Sequence, residues 1–178
     1  MDTRRLGANG PLVSIIGLGC NNFGRPGSAT VDAAGTDAVI GAALDAGITL
    51  LDTADIYNAG ISESLIGASL GARRDQVILA TKFGHSGAAA PGADSWGAKG
   101  SAGYITNACD ASLSRLNTDV IDLFQLHTPD LFTPIVETLA ALQSLVDAGK
   151  IRWYGPVSYT HLRAHETDSY LVCRLLLE

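Results

Sequence analysis

The chain has 178 residues, which suffices for one domain with a sizeable core. Apolar residues make up 47% and charged residues 17% of it, which excludes an intrinsically disordered chain and a coiled coil. Lys and Arg number 12 against 18 Asp and Glu, and the resulting net charge of -6 repels phosphate backbones and anionic lipids. Neither nucleic acid nor a membrane is therefore expected as a partner.

The cysteines and the apolar runs indicate the compartment. The chain has three cysteines, Cys20, Cys109 and Cys173. Because their number is odd and they are widely spaced, they predict neither a disulfide framework nor a CxxC metal site. Ser14 and Gly17 interrupt the apolar stretch Leu12 to Leu18, which argues against an export signal. No apolar run approaches the ~20 residues of a membrane-spanning helix. A cytoplasmic location is expected.

The chain opens with a predicted β-hairpin around Asn9-Gly10 and then alternates strands with helices. The predicted strands are Ser14 to Leu18, Ile48 to Leu51, Val77 to Ala80, Val120 to Leu126 and Ile151 to Tyr154. The predicted helices are Thr36 to Ala46, Ser62 to Leu70, Ser101 or Thr106 to Asn117, and Pro134 to Ala148. Thr36 and Thr133 are predicted N-caps, and Gly47 and Gly149 are predicted to end their helices.

Strand followed by helix, four times over, predicts an α/β fold with a parallel sheet and helical crossovers. Several of these strands are apolar on both faces, as strands buried between two layers must be. The order of elements alone leaves two architectures open, an open doubly wound sheet and a (β/α)8 barrel. The stretch Gly84 to Gly100 is rich in Gly, Ala, Ser and Pro and is longer than most connections, which predicts a functional or mobile loop.

The alternation stops at Pro156. A back-translation of Pro156 to Thr167 resembles a sequencing-library adapter of the transposon type, and that of Leu171 to Glu178 resembles the adapter's outer end. We therefore expect residues 156–178 to be a non-native read-through tail and residues 1–155 to be the evolved sequence. His161 and His165 then have no function, although their spacing would suit a helical metal site.

Three predicted strands end in ionisable residues, Asp52, Lys82 and His127, and Tyr57 follows in the loop after Asp52. Because parallel strands place their carboxyl ends on one edge, these side chains are expected to converge. Each alone has a simpler explanation: a helix-capping carboxylate, an exposed lysine, a solvated histidine or a lid tyrosine. Together they favour a site, because a lysine flanked by apolar strand residues needs a carboxylate to compensate its charge.

The four side chains suit proton transfer to a carbonyl group. The Lys82 ammonium would stabilise the Tyr57 phenolate, and Asp52 would hold Lys82 in place. His127 would hydrogen-bond the carbonyl oxygen and position it against the Tyr57 hydroxyl. Such a site suits reduction of a carbonyl, with hydride from a nicotinamide and a proton from Tyr57.

Over Met1 to Gly155 the sequence resembles the aldo-keto reductase family. The motifs that carry the resemblance are Gly17-Leu18-Gly19, Leu51-Asp52-Thr53-Ala54-Asp55-Ile56-Tyr57, Gly60-x-Ser62-Glu63-x-x-Ile66-Gly67, Thr81-Lys82-Phe83-Gly84, and Ser112-Leu113-x-Arg115-Leu116 continuing through Asp119 and Asp122 to Leu126-His127-x-Pro129-Asp130. It implies a (β/α)8 TIM barrel, NADPH as the usual hydride donor, a small-molecule carbonyl substrate, and a catalytic tetrad of Asp52, Tyr57, Lys82 and His127. It also implies that Gly19, Cys20 and Asn21, together with Asp52, lie against the cofactor, although the first three also suit an ordinary turn.

The chain departs from the family in length. Such a barrel needs about 250 residues, and only the hairpin and roughly the first five strands are present, so residues 1–155 would be the N-terminal part of a truncated barrel. The part that grips the adenosine phosphate is absent, so a preference for NADPH over NADH is not predicted. We expect the chain by itself to aggregate or stay molten and to be inactive.

Two other functions would use some of the same residues. A cofactor-sensing regulatory subunit could retain the same tetrad, but no special interaction segment favours it. A metal-dependent hydrolase using Asp52, His127 and Asp130 is disfavoured because no His-x-His pair or carboxylate cluster is present, so no metal is expected. His85 and Trp96 in the long loop are interpreted as a solvated histidine and a lid anchor, with substrate contact as the alternative.

Overall fold

The computed structural model describes residues 1–7 and 9–157. The predicted tail, with Ser158, His161, His165 and Cys173, lies outside the described residues except for Pro156 and Val157. The chain begins with the predicted hairpin, in which β1 (Thr3–Arg5) pairs antiparallel with β2 (Leu12–Ser14). The Leu6 N–H donates to the Pro11 carbonyl at 2.9 Å, which closes the hairpin connection.

A second sheet has five parallel strands. They are β3 (Gly17–Gly19), β4 (Leu50–Asp52), β5 (Ile78–Phe83), β6 (Ile121–Leu126) and β7 (Ile151–Pro156). Four α-helices follow the strands in turn: α1 (Ala33–Asp45), α2 (Ile61–Leu70), α3 (Ala102–Leu116) and α4 (Ile135–Asp147). Short 3-10 helices cover Gly71–Gln76 and Ala93–Ser95.

The order of the strands separates the two architectures that the sequence left open. Each strand of the second sheet lies beside the one before it, in the order β3-β4-β5-β6-β7. A doubly wound sheet reverses its strand order at a switch point, whereas a (β/α)8 barrel adds each strand to the same side of the last. The described sheet therefore has the strand order of a barrel, as the resemblance implied, and the α/β fold class is confirmed.

The first predicted strand, Ser14 to Leu18, is wrong as one element. Ser14 ends the hairpin, and β3 begins only at Gly17. The break arises because the backbone N–H of Ser14 donates to Thr49 Oγ1 at 3.1 Å, while its own Oγ accepts from the Thr49 N–H at 2.9 Å. These two bonds fix the hairpin beside the entry to β4, and Ile15 and Ile16 between the strands are each 55% exposed.

Both predicted threonine N-caps are wrong. Helix α1 begins at Ala33, where Asp32 Oδ1 accepts from the Gly35 N–H at 2.9 Å, and Thr36 is buried inside the helix. Helix α4 begins after Pro134, and Thr133 donates its hydroxyl to Asp130 Oδ2 at 2.7 Å. A threonine hydroxyl bonds equally well to nearby loop groups, and in this fold such a partner is present in both places.

The predicted helix ends agree with the structure. Asn117 takes the left-handed conformation after α3, with φ 49°, and Gly47 and Gly149 follow α1 and α4 with φ 80° and 73°. A close approach of α2 to α3 requires Gly67, because a Cβ there would lie 2.6 Å from the Arg115 carbonyl oxygen. The helices therefore pack as one layer against the sheet.

The core lies between this helical layer and the sheet. Phe83 of β5 stacks on Phe124 of β6 with ring centroids 4.5 Å apart, and Leu51, Ile66 and Ile105 are fully buried around them. In the part of the chain that the structure describes, no helix is both long and apolar enough to cross a membrane.

Candidate active site

The structure brings the four predicted side chains together at the carboxyl edge of the parallel sheet. Asp52 is the last residue of β4, Lys82 is the penultimate residue of β5, and His127 directly follows β6. The His127 N–H donates to the Phe83 carbonyl at 2.8 Å and so continues the ladder between the two strands. Tyr57 lies in the turn between β4 and α2.

Lys82 is the centre of the site. Its side chain is buried, and the ammonium donates to Asp52 Oδ2 at 2.8 Å, to the Thr53 carbonyl at 2.7 Å and to Tyr57 Oη at 3.3 Å. Three donors thus have three acceptors, which compensates the cost of burying the charge. The ammonium also lies 5.0 Å from the centroid of the Tyr57 ring. The positive charge is therefore fixed beside the phenol oxygen.

The backbone conformation of residues 58–60 and the side-chain amide of Asn58 hold the turn that carries Tyr57. Asn58, Ala59 and Gly60 all have positive φ, at 50°, 55° and 83°. Asn58 Nδ2 donates to the Asn21 carbonyl at 3.0 Å and to the Phe23 carbonyl at 2.7 Å. For Ala59 this conformation costs roughly 1–2 kcal/mol, whereas an asparagine such as Asn58 adopts it more readily. The amide bonds tie the turn to the loop after β3 and stabilise that conformation.

His127 is neutral at neutral pH. Burial, then the positive charge of Lys82 and the nearby His85 lower the pKa of His127 to about 4. Its ring centroid lies 6.0 Å from that of Tyr57. Among the described residues, the buried Nδ1 has no hydrogen-bond partner. A bare ring nitrogen is cheaper to bury unpaired than an N–H donor, which assigns the proton to Nε2.

A second imidazole lies at the mouth of the site. The His85 ring centroid is 4.8 Å from that of His127, and His85 Nδ1 accepts from the Gly87 N–H at 3.0 Å. Lys99 holds this part of the loop by donating to the carbonyls of His85 and Ala88. His85 itself is half-buried, so its interpretation as a solvated histidine, with substrate contact as the alternative, stays a prediction. The feature of the sequence that places it near the site is its position three residues after Lys82, just beyond the end of a strand.

The predicted cofactor residues follow β3 at the same edge. Gly19 pairs with Asp52 in the ladder, and the Cys20 N–H donates to the Asp52 carbonyl at 2.9 Å. Burial, reinforced by the Asp52 charge, raises the pKa of the Cys20 thiol to about 12, so that side chain belongs to the core. Asn21 is exposed, and a Cβ on Gly19 would meet no atom within 4 Å. Open space beside exposed backbone fits a cofactor lying along this edge.

Ser62 joins the strand ends behind the site. Its Oγ donates to the Cys20 carbonyl at 2.8 Å and lies 2.8 Å from Thr53 Oγ1. Since the Thr53 carbonyl accepts from Lys82, Ser62 fixes the acceptor that helps to position the ammonium. The sequence places Ser62 in a motif but does not indicate that its hydroxyl joins the ends of β3 and β4.

A buried ion pair lies one layer further in. Glu63 is fully buried, and its two carboxylate oxygens accept from Thr81 Oγ1 and from Arg115 Nε, each at 2.6 Å. This pair joins α2, β5 and α3 directly behind Lys82. No local pattern in the sequence marks it, because Glu63 and Arg115 lie far apart along the chain.

Comparisons with known proteins identify the family. The model of the family described as "Aldo/keto reductase family" matches residues 15–169. The chain belongs to the aldo-keto reductase family. It is 37% identical over 155 residues to "Uncharacterized oxidoreductase YqkF" of Bacillus subtilis (strain 168), covering 87% of this chain and 48% of that protein. It is 36% identical over 152 residues to "Probable aldo-keto reductase 1" of Glycine max, covering 85% and 43%.

A solved structure gives the same result. The holo form of aldo-keto reductase AKR11C1 from Bacillus halodurans superposes on this aldo-keto reductase with a TM-score of 0.74 and 38% identity, over 88% of this chain and 51% of that one. The chain therefore spans about half the length of the relatives it matches. The predicted boundary between residues 155 and 156 stays a prediction.

Proposed function

We propose that this site reduces aldehydes or ketones to alcohols with NADPH as the hydride donor. The observation that carries the proposal is the Lys82 ammonium, held between Asp52 at 2.8 Å and the Tyr57 oxygen at 3.3 Å. When bound, the nicotinamide supplies a hydride to the carbonyl carbon, and the carbonyl oxygen takes a proton from Tyr57. The carbonyl compound is thereby reduced by two electrons to an alcohol.

Each of the four residues has a distinct role in this proposal. Tyr57 donates its phenolic proton, and the adjacent Lys82 ammonium stabilises the phenolate that is left. Asp52 holds that ammonium in place and balances its charge. His127, neutral and protonated on Nε2, donates a hydrogen bond to the carbonyl oxygen and aligns it with the Tyr57 hydroxyl.

The cofactor is assigned to the edge beside β3. Gly19, the backbone of Cys20, Asn21 and the Asp52 carboxylate would hold the nicotinamide end there, and the open space at Gly19 supports this. NADPH is proposed as the donor because it is the usual one in the family that the chain resembles, and a preference for NADPH over NADH is not part of the proposal. We place the reaction in the cytoplasm and its substrate among small carbonyl compounds.

The test is the variant Tyr57→Phe of the complete gene product. We expect carbonyl reduction to fall by roughly 100-fold or more, because only the proton donor is lost, while the Kd for NADPH stays within about 2-fold. Tyr154→Phe is the matched control, since the Tyr154 hydroxyl makes only a 3.4 Å contact with Gln143. Loss of cofactor binding in parallel with turnover would contradict the assignment of Tyr57.

A finer part of the proposal concerns the 178 residues by themselves. In the described sheet, β3 and β7 each pair with one neighbour only. Open strand edges favour association, so we expect a polypeptide limited to these residues to aggregate and to turn over no substrate. Size-exclusion chromatography with an aldehyde assay tests this, and a monodisperse active monomer would refute it. The relatives named above are described as an oxidoreductase and aldo-keto reductases, which lends the regulatory alternative no support.

A further inference from the structure

The proposed chemistry makes no use of one buried acid, Asp55. It lies two residues before Tyr57, and its backbone N–H donates to the Lys82 carbonyl at 3.0 Å. Its side chain is fully buried, and within the described residues neither carboxylate oxygen has a hydrogen-bond partner. A carboxylate held dry and unpaired is strongly unfavourable, so this group requires an explanation.

The charged groups around Asp55 do not compensate it. Glu63 on α2 is a second buried carboxylate, and the Arg115 guanidinium on α3 is already bonded to it at 2.6 Å. Lys99 in the long loop is bonded to two loop carbonyls, and the Lys82 ammonium is bonded on the far side to Asp52. The remaining titratable neighbour is Tyr104 on α3, whose buried hydroxyl also has no partner among the described residues.

The long loop, residues 84–100, packs against Tyr104. Ala90 and Ala93 of the loop are buried in the same cluster as Tyr104, and the Trp96 ring meets the Tyr104 ring edge to face at 5.5 Å. Pro91 packs 3.4 Å from the position of a Cβ on Gly60. The loop is therefore packed against Tyr104 and against the end of the turn that follows Asp55.

We propose that Asp55 is a positioning residue that acts as a proton-operated latch for the loop 84–100. As a neutral acid it stays dry beside Tyr104 with the loop packed over it. As a carboxylate it must be hydrated, and the loop loosens to admit water. The same loop carries His85, which packs against His127, so the latch sets the position of the second imidazole at the mouth of the site.

Electrostatics agree with this geometry. Burial, and after it the neighbouring Glu63 charge, raise the pKa of Asp55 to about 7, while Arg115 and Lys99 act in the opposite direction. Burial and the Asp55 charge together raise the pKa of the Tyr104 phenol to about 12, so Tyr104 keeps its proton while Asp55 titrates. The latch is thus closed below neutral pH and opens above it.

The first measurement titrates the Asp55 carboxyl group. Carboxyl-carbon NMR of the protein labelled at aspartate is recorded from pH 4 to pH 9. We expect one aspartate resonance, that of Asp55, to titrate with a midpoint near pH 7. That resonance is absent from Asp55→Asn and unchanged in Asp94→Asn, which removes an exposed acid from the same loop. A midpoint for Asp55 below pH 5 would overturn the proposal, and the spectrum of the unmodified protein suffices to show it.

The second measurement follows the loop. Trp96 fluorescence, taken as the difference between the protein and Trp96→Phe, is expected to change in a single step near pH 7. The step should disappear in Asp55→Asn, whose neutral amide keeps the loop closed at every pH, and shrink in Tyr104→Phe. Tyr154→Phe, altered at a half-buried tyrosine outside the loop, should keep the full step.

Two results of the fluorescence experiment would overturn the latch. One is a flat Trp96 signal while Asp55 titrates, and the other is a step that persists in Asp55→Asn. A purely structural role for Asp55 predicts no pH step at all. Neither measurement uses turnover, so failure of the latch and failure of the proposed reductase activity are distinguishable.

Discussion

Asp122 is a fully buried carboxylate that joins the three strands next to the site. Its Oδ2 accepts from the Leu79 N–H of β5 at 2.9 Å and from Arg74 at 2.8 Å, and its Oδ1 accepts from Arg152 of β7 at 2.5 Å. Asp122 itself belongs to β6, so these bonds fix the strands that lead to Lys82 and His127. The variant Asp122→Asn keeps the shape of the side chain and removes its charge.

The structure gives the expected size of the effect. Arg74 is only 17% exposed in its side chain and would lose its counter-charge, whereas Arg152 is 51% exposed and would be solvated. Removing one partner of a buried ion pair costs about 3–5 kcal/mol. The Leu79 N–H can still bond to the amide oxygen, so we expect a loss near the lower end of that range in the free energy of unfolding.

Urea denaturation of the complete gene product, followed by far-UV circular dichroism, measures this loss. Asp110→Asn is the matched control, because the Asp110 pair with Lys150 at 2.5 Å lies between side chains that are 50% and 36% exposed. A surface pair contributes about 0–1 kcal/mol, so the control should be nearly as stable as the unmodified protein. Equal stability losses in the two variants would refute the argument from burial.

Three further predictions concern the ionisable groups. Lys82→Met should lower carbonyl reduction by roughly 100-fold or more, because the charge that stabilises the phenolate is lost. Lys150→Met, altered at the surface, is the control and should keep the rate. Equal rates for the two variants would contradict the role of Lys82. The NMR resonance of the His127 C2 proton, identified by its absence in His127→Gln, should not shift between pH 5 and pH 8, because the pKa of His127 is lowered to about 4. A titration midpoint near the ordinary pKa of histidine would refute the assignment of a neutral His127. Asp55 has its pKa raised to about 7 in the folded protein, so its contribution to stability is largest below pH 4 and is lost as the pH rises to 7. The stability of Asp55→Asn relative to the unmodified protein should therefore increase by up to about 4 kcal/mol from pH 4 to pH 8 in urea denaturation, and no increase would contradict the burial of a neutral acid.

Patterns along the chain were enough to predict the four α-helices, the strands β4 to β7 and the edge at which the site lies. Asp52, Lys82 and His127 each end or follow an apolar run, and parallel strands bring such ends together whatever lies between them. The same regularity predicted Asn117 and Gly149 at the helix ends, because few residues adopt a positive φ there.

Other groups bond to partners that the sequence pattern does not single out. Thr36 and Thr133 have the chemistry of an N-cap, but each donates instead to a group in the loop before its helix, the Thr30 carbonyl and Asp130 Oδ2. The ring contact between His85 and His127 was not predicted, because nothing local in the sequence shows that the loop after β5 approaches His127. Glu63 and Arg115 are joined only when α2 packs on α3, and no periodicity along one helix records that contact.

The central claim is that Tyr57, Lys82, Asp52 and His127 form a site for carbonyl reduction, and hydride transfer tests it most directly. The complete gene product is incubated with NADPH that carries two deuterium atoms at C4 of the dihydronicotinamide, together with a panel of aldehydes and ketones, and the alcohols are analysed by mass spectrometry. We predict one deuterium on the carbinol carbon of the product, and a loss of product in Tyr57→Phe at unchanged NADPH binding. Alcohol without the label, or oxidation of NADPH without alcohol across the whole panel, would contradict the account.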